Sequence, residues 1–316
     1  MGNPVFVAII DKEERQLKVL ITGAEGFIGS HLVERFLSDG HEVISIDDES
    51  APQNEEFYKF EGAAYHKLSI LDPSMSDLFV GVDVVYHHAA RSRIQPSFDN
   101  ARETYEVNAV GTQRVLDAAM KHGVKRVIYA GSSSCYGLQN VPPLKEDMKS
   151  DPLNHYALAK MQGEQICKLY SRIYGIETVV LRYFNVYGPR EPLKGIYAPV
   201  IGIFKKQRDE GRPLTIVGDG EQSRDFTHVL DVVEANVLAA SRSAKDIFSA
   251  DEEAFEIFNI GSGKNYTINE VAEMVGGEKL HLPARPGEAK MTLADNSKAR
   301  ARLNWHPKID LRNAWE

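Results

Sequence analysis

Six short apolar runs, set apart by stretches long enough for a helix or more, constrain most strongly what this chain can fold into. They are LKVLIT from Leu17, EVISI from Glu42, VDVVYHHA from Val82, RVIYAG from Arg126, ETVVLRY from Glu177 and FEIFNIG from Phe255. Runs this apolar have no face to offer to water, as expected of parallel strands covered on both sides by helices. Helix-period segments through Phe36, up to Lys121 and around Lys160 supply the cover. The fold expected is α/β, a Rossmann-type doubly wound parallel sheet.

After Tyr183 the alternation breaks into the Gly- and Pro-rich pieces NVYGPREPLKG and VGDGEQSRDF, with a further helix near 229–240. Such irregularity predicts a smaller, interleaved C-terminal substrate domain. The boundaries expected are 17–185 plus about 225–260 for the Rossmann part, and about 186–224 and 261–316 for the second. Residues 1–16 are expected to be an N-terminal extension, read as an extra strand or an appended segment.

Charge and cysteine content narrow the function. The 316 residues are 43% hydrophobic, enough for a sizeable core, and 45 acidic against 37 basic residues give a net charge of -8 without a long single-sign block. That balance excludes a nucleic-acid groove or a polybasic membrane anchor as an expectation. Cys135 and Cys167 make no disulfide framework and lack zinc-ligand spacing, so no metal is expected and a cytoplasmic location is.

The first strand runs directly into TGAEGFIGSHL, which sets Gly23, Gly26 and Gly29 between a strand and a helix. Glycine there lets the backbone turn and approach a pyrophosphate, which sits on the positive end of the helix. Eighteen residues after Gly29, at the end of the second strand, Asp47 and Asp48 are placed to accept from adenosine ribose hydroxyls. A carboxylate there repels a 2'-phosphate, so NAD is expected over NADP. Farther on, HYALAK puts Tyr156 and Lys160 four apart on one helix face, where a neighbouring ammonium favours phenolate and a usable general base. AGSSSCYG contributes Ser132, Ser133 and Ser134 at a strand end, where open parallel sheets bind ligands.

With HHAA at 87–90, NAVGT, LRYFNVYGPRE, GDGEQSRDF and the late LADNSKARARLNW, these motifs resemble the extended short-chain dehydrogenase/reductases, and within them the nucleotide-sugar 4-epimerases. The resemblance implies NAD contacts from the three glycines and from Phe27, Ile28, Asp47, Asp48, Ser69, Ile70, Ala89, Ala90, Asn108, Tyr156, Lys160 and Phe184. Two of these surroundings depart from the family pattern: Ser69 replaces an aspartate beside Ile70, and Ser92 stands where a lysine is common. Catalysis is implied for Tyr156, Lys160 and Ser132. The resemblance further implies that Ser133 and Ser134 line the sugar pocket or cap the turn, that Asn185, Arg224 and Arg285 hold the diphosphate, that Tyr197 lies near the base, and that Thr292 replaces a bulkier gate. A homodimer built on the helices near 98–121 and 154–174 is implied as well.

Within that family, dehydratases and decarboxylases carry an acid after the catalytic hydroxyl, whereas Ser132 is followed by Ser133, Ser134 and Cys135. C4 epimerisation is therefore expected, on UDP-glucose/UDP-galactose or their N-acetylated counterparts. The alternatives are a UDP-uronic acid 4-epimerase, another NAD-dependent nucleotide-sugar oxidoreductase or dehydratase, and a non-catalytic NAD-sensing protein. For a uronate carboxylate Arg91 and Arg93 are candidates only through their nearness to the expected cofactor site, and a solvated pair is the reading preferred.

Overall fold

The computed structural model describes residues 16–315 apart from 52, 53, 55, 194–198, 249–252 and 285–288. Its first apolar run forms strand β1 (Lys18–Thr22), followed by β2 (Glu42–Asp47), β3 (Ala64–Lys67), β4 (Val84–His87), β5 (Arg126–Ser132) and β6 (Glu177–Tyr183). With the strand Phe255–Ile260 these make one seven-stranded sheet, ordered Phe255–Ile260, β6, β5, β4, β1, β2, β3, and every pairing is parallel. The expected doubly wound α/β sheet is the observed one. β3 has no counterpart among the apolar runs, because its AYHK side chains are half-buried or exposed at the sheet edge.

Side chains on successive strand positions point to opposite faces, and that alternation splits the core into two layers. Val19, Ile21, Val84, Tyr86 and Ile128 pack against Leu32, Val33 and Phe36 of helix α1 (Phe27–Ser38) and Val232 and Val233 of the helix Val229–Ser241. On the other face Leu20, Ile44, Val85, Val127 and Tyr129 meet Val115, Leu116 and Cys167. Each fully buried aliphatic side chain of this kind contributes about 1.5–3 kcal/mol over leaving it exposed. A separate cluster built on Phe204, Leu214, Ile216, Phe226, Ile268 and Val271 fills the C-terminal part, where the strand Leu214–Val217 pairs with Lys279–Leu282.

The stretch read as one helix up to Lys121 is broken into Ile94–Asp99, Ala101–Tyr105, a π-helical turn Glu106–Val110 and Gly111–Lys121. No described helix is long and apolar enough to cross a membrane. The calls on residues 1–15, Tyr197 and Arg285 lie outside the described residues.

Strand order reverses between β1 and β4, so the loops leaving their C-terminal ends diverge and open a crevice there. That crevice is where the glycine loop and the HHAA segment meet.

Candidate active site

Gly23 has φ of +69°, and a Cβ on it would stand 2.7 Å from the Ala89 amide nitrogen across the crevice. A Cβ on Gly29 would fall 2.0 Å from the Gly23 carbonyl oxygen. Glycine is therefore required at both, by left-handed backbone in one and by helix-to-loop contact in the other. Gly26 caps α1 without a side-chain hydrogen bond, and no acid occupies the helix's first turn. The amides at this helix end are left to an anion.

Asp47 pins the loop from below. Its carboxylate accepts from the Glu25 amide at 3.0 Å and the Glu49 amide at 2.9 Å, while burial raises its pKa against those hydrogen bonds. Asp48 accepts from the Ser50 amide at 3.1 Å. Both carboxylates line a cavity of about 1090 Å³ that also includes Gly23, Gly26, Phe27, Ile28, Gly29, Ile70, Ala89 and Ala90. A single drug-sized ligand needs roughly 300–1,000 Å³, so this space suits a dinucleotide together with a second ligand. A bare helix end, a cradle that a Cβ would fill and two acceptors at the far end fit NAD.

Three residues expected to touch the cofactor are not among those lining the cavity. Ser69 accepts from the Leu71 amide at 3.2 Å, closing its own turn. Phe184 is fully buried against Tyr136. Asn108, on the π-helical turn, accepts from the Arg91 amide at 2.7 Å and donates to the Arg91 carbonyl at 2.9 Å. Its side chain thus holds the loop after β4 in place from behind.

The helix His155–Tyr174 brings in the proton chemistry. Asn154 caps it by accepting from the Ala157 amide at 2.8 Å, and Gly175, with φ of 72°, ends it. At Gly163 a Cβ would stand 2.1 Å from the Tyr129 hydroxyl, so glycine lets the helix settle onto β5. Lys160, one turn earlier, consequently donates to the Ala130 carbonyl at 2.9 Å and lies 5.0 Å above the Tyr129 ring. Tyr156 is held by its own amide, which donates to the Ser97 hydroxyl at 3.2 Å. Burial raises the phenol's pKa; a hydrogen bond with Ser132 and the positive charge of Arg93 act in the opposite direction. Ser132 ends β5 and caps the following turn, its hydroxyl 2.9 Å from that of Ser134. Cys135 is buried, with its thiol pushed up to about 12 by burial, which makes it a packing residue.

Burial brings the Lys160 ammonium down to about 8, with the Glu164 carboxylate opposing the shift. A folded value below the ordinary 10.5 means that the unfolded chain holds the proton more tightly. The resulting penalty is complete below about pH 8 and fades as pH rises to 10.5. Lys160→Met is therefore expected to stabilise the cofactor-free protein at pH 7 by on the order of 1–2 kcal/mol, net of the lost Ala130 hydrogen bond, while abolishing turnover. Melting curves across pH check this: the gain should vanish at alkaline pH, and a midpoint unchanged at pH 7 contradicts it.

The opposite end of the cavity is polar and basic. Asn185 donates to the Asp225 carbonyl at 2.9 Å and to the Thr292 hydroxyl at 3.2 Å, and Arg224 donates to the Ser223 carbonyl at 3.0 Å. All three of Asn185, Arg224 and Thr292 line the cavity, as do Ser133 and Ser134. Lys206, Arg212 and His88 line it too, and the motifs did not single them out. Lys206 sits on a helix (Val200–Asp209) of ordinary amphipathic pattern, so nothing local marks it. His88 lies 2.9 Å from the Tyr183 hydroxyl and is kept neutral, at about 3, by burial and then by the Lys160 charge. Among the described lining residues the carboxylates are Asp47 and Asp48, both at the glycine-loop end.

Comparison with known proteins agrees with this geometry. The model for the NAD dependent epimerase/dehydratase family matches residues 19–261. The UDP-glucose 4-epimerase of Mycolicibacterium smegmatis is 34% identical over 307 residues, covering 93% of this chain and 95% of the relative. Among solved structures, the UDP-glucose 4-epimerase of Thermotoga maritima, crystallised with UDP-glucose, superposes with a TM-score of 0.86 at 32% identity over 95% of this chain and 96% of that one. The UDP-glucuronic acid 4-epimerase of Bacillus cereus, in complex with UDP-glucuronic acid and NAD, gives 0.83 at 32% identity over 95% and 96%. This chain belongs to the NAD dependent epimerase/dehydratase family, as an extended short-chain dehydrogenase/reductase of the nucleotide-sugar epimerase type.

Proposed function

We propose that the protein is an NAD-dependent isomerase that inverts C4 of a UDP-sugar. One observation carries the reading: Tyr156, Ser132 and Lys160 converge on a single cavity whose carboxylates, among the described lining residues, all lie at the glycine-loop end. A base for the sugar hydroxyl is present where an acid for eliminating water is not.

The glycine loop and the first turn of α1 would hold the pyrophosphate of NAD, Asp47 and Asp48 would accept from its ribose, and Lys160 keeps two N–H donors beyond the one spent on Ala130. NAD, when bound, supplies the hydride acceptor and donor for C4. Tyr156 takes the proton of the 4-hydroxyl, with Ser132 bridging phenol and sugar, and returns it once the 4-keto sugar has presented its other face. Asn185 and Arg224 grip the diphosphate, so the sugar is the part free to turn. Thr292 leaves room for an N-acetyl group, which keeps both the glucose and the N-acetylglucosamine pairs within reach.

A cytoplasmic homodimer belongs to the same reading. Two reduced, buried cysteines support the compartment. Support for pairing comes from Leu169, Ile173 and Tyr174 on the catalytic helix and from Val110 and Met120, large apolar side chains that are exposed.

Incubation with UDP-, GDP- and dTDP-sugars, scored for C4 epimers by NMR with reduced-nicotinamide absorbance followed in parallel, tests the activity. Both epimers should accumulate for a UDP-sugar without net NADH. Stoichiometric NADH release would overturn the isomerase in favour of a net oxidoreductase.

A further inference from the structure

Arg93 does not behave as half of a solvated pair. Arg91 does: it bonds Glu103 at 2.7 Å at the rim of the loop. Arg93, two residues on, is half-buried in the cavity wall; its Nε is buried without a hydrogen-bond partner, and its guanidinium forms no ion pair with any described residue. The position is fixed from both sides. Asn108 clamps the loop at Arg91, and the helix Ile94–Asp99 that follows Arg93 is tied to the catalytic helix through the Ser97 hydroxyl and the Tyr156 amide.

A half-buried guanidinium whose Nε has lost its water without gaining a partner is costly, and a charged, hydrogen-bonding ligand in the cavity would return what was lost. Glu191 is within electrostatic reach but supplies no such charge. Burial holds its carboxyl up to about 8, so at neutral pH it is mostly protonated. In the proposed reading Arg224 and Asn185, which also line the cavity, already serve the diphosphate. Arg93 instead faces Tyr156, which the mechanism places at O4, and both residues feel each other's charge. The substituents that flank C4 are the C3 hydroxyl and C6, carried on C5, and of the two only C6 differs between a neutral sugar and a uronic acid. A neutral hydroxymethyl there leaves the guanidinium unpaired, whereas a carboxylate accepts its planar fork through two charge-assisted hydrogen bonds.

Building on the epimerase reading, we propose that the preferred substrate is a UDP-uronic acid, with Arg93 as the specificity-determining residue that binds its C6 carboxylate. The test compares UDP-glucuronate with UDP-glucose on the NAD-loaded wild type and on Arg93→Gln and Arg93→Lys, each checked for NAD content and melting temperature. Wild type should favour the uronate by about 10-fold or more in kcat/KM. Arg93→Gln should lose about 100-fold on the uronate and far less on UDP-glucose, and Arg93→Lys should recover part of that loss. Equal loss on both sugars overturns the proposal, because it assigns the guanidinium to the shared diphosphate or to Tyr156. So does a wild type with no preference. Calorimetric binding of the two nucleotide sugars to Tyr156→Phe separates this idea from the epimerase reading: tighter, Arg93-dependent binding of the uronate supports carboxylate recognition even if C4 is never inverted, and equal binding refutes it.

Discussion

Tyr156→Phe is expected to lower kcat by roughly 10³-fold, within the 10²–10⁴ range of general acid–base catalysis, while NAD stays bound in full amount. The substitution removes one oxygen and little else. The Tyr156 main chain is held independently by Ser97, and the ring keeps its place in the cavity wall. What disappears is the group that the proposed mechanism uses to accept the 4-hydroxyl proton through the Ser132 bridge, so the loss should fall on kcat and not on KM. A single-turnover trace of reduced nicotinamide on adding UDP-sugar gives an independent reading, since its transient should fade along with kcat. Undiminished turnover with NAD bound would remove Tyr156 from the mechanism.

The second large effect concerns the floor of the site. Arg182 and Glu164 form a buried pair, with Nη2 to Oε2 at 2.7 Å and Nε to Oε1 at 3.1 Å, and the guanidinium stacks 4.8 Å from the Tyr136 ring. Side-chain exposures of 4% and 1% mean that neither charge has water to fall back on. Arg182→Met should therefore destabilise the holoenzyme by about 3–5 kcal/mol, as a buried carboxylate left without its partner requires. Urea unfolding measures it, and Glu164→Leu combined with Arg182→Met should recover most of the loss, because an apolar pair has no charge to compensate. A cost under about 1 kcal/mol for the single variant would show that the pair adds little to the fold. Glu164 also helps keep Lys160 charged, so the double variant should be stable yet impaired in turnover.

Parts of this molecule are written locally. The six apolar runs became strands because a parallel strand needs cover on both faces, and that requirement is visible in any window of the chain. The glycine loop is legible for a related reason: Gly23 and Gly29 answer to backbone stereochemistry and to contact within a few residues. Tyr156 and Lys160 share a helix face through their spacing alone.

β3 was invisible because an edge strand with half-exposed AYHK side chains is defined by its pairing with β2, not by its own pattern. The same holds for the pairing of Leu214–Val217 with Lys279–Leu282, and for Asn108, whose side chain turned out to brace a loop seventeen residues away.

Arg93 marks the division most clearly. By itself the sequence determined the sheet, the nucleotide loop and the Tyr–Lys–Ser set, since each follows from periodicity or from contacts a few residues apart. Whether an arginine pairs with a surface acid or stands unpaired in the cavity wall depends on Tyr156 and Glu191, whose charges it feels, and on Asn108 and Ser97, which hold the loop and helix on either side of it. Only the tertiary structure brings those elements together, and with them decides which charges line the cavity.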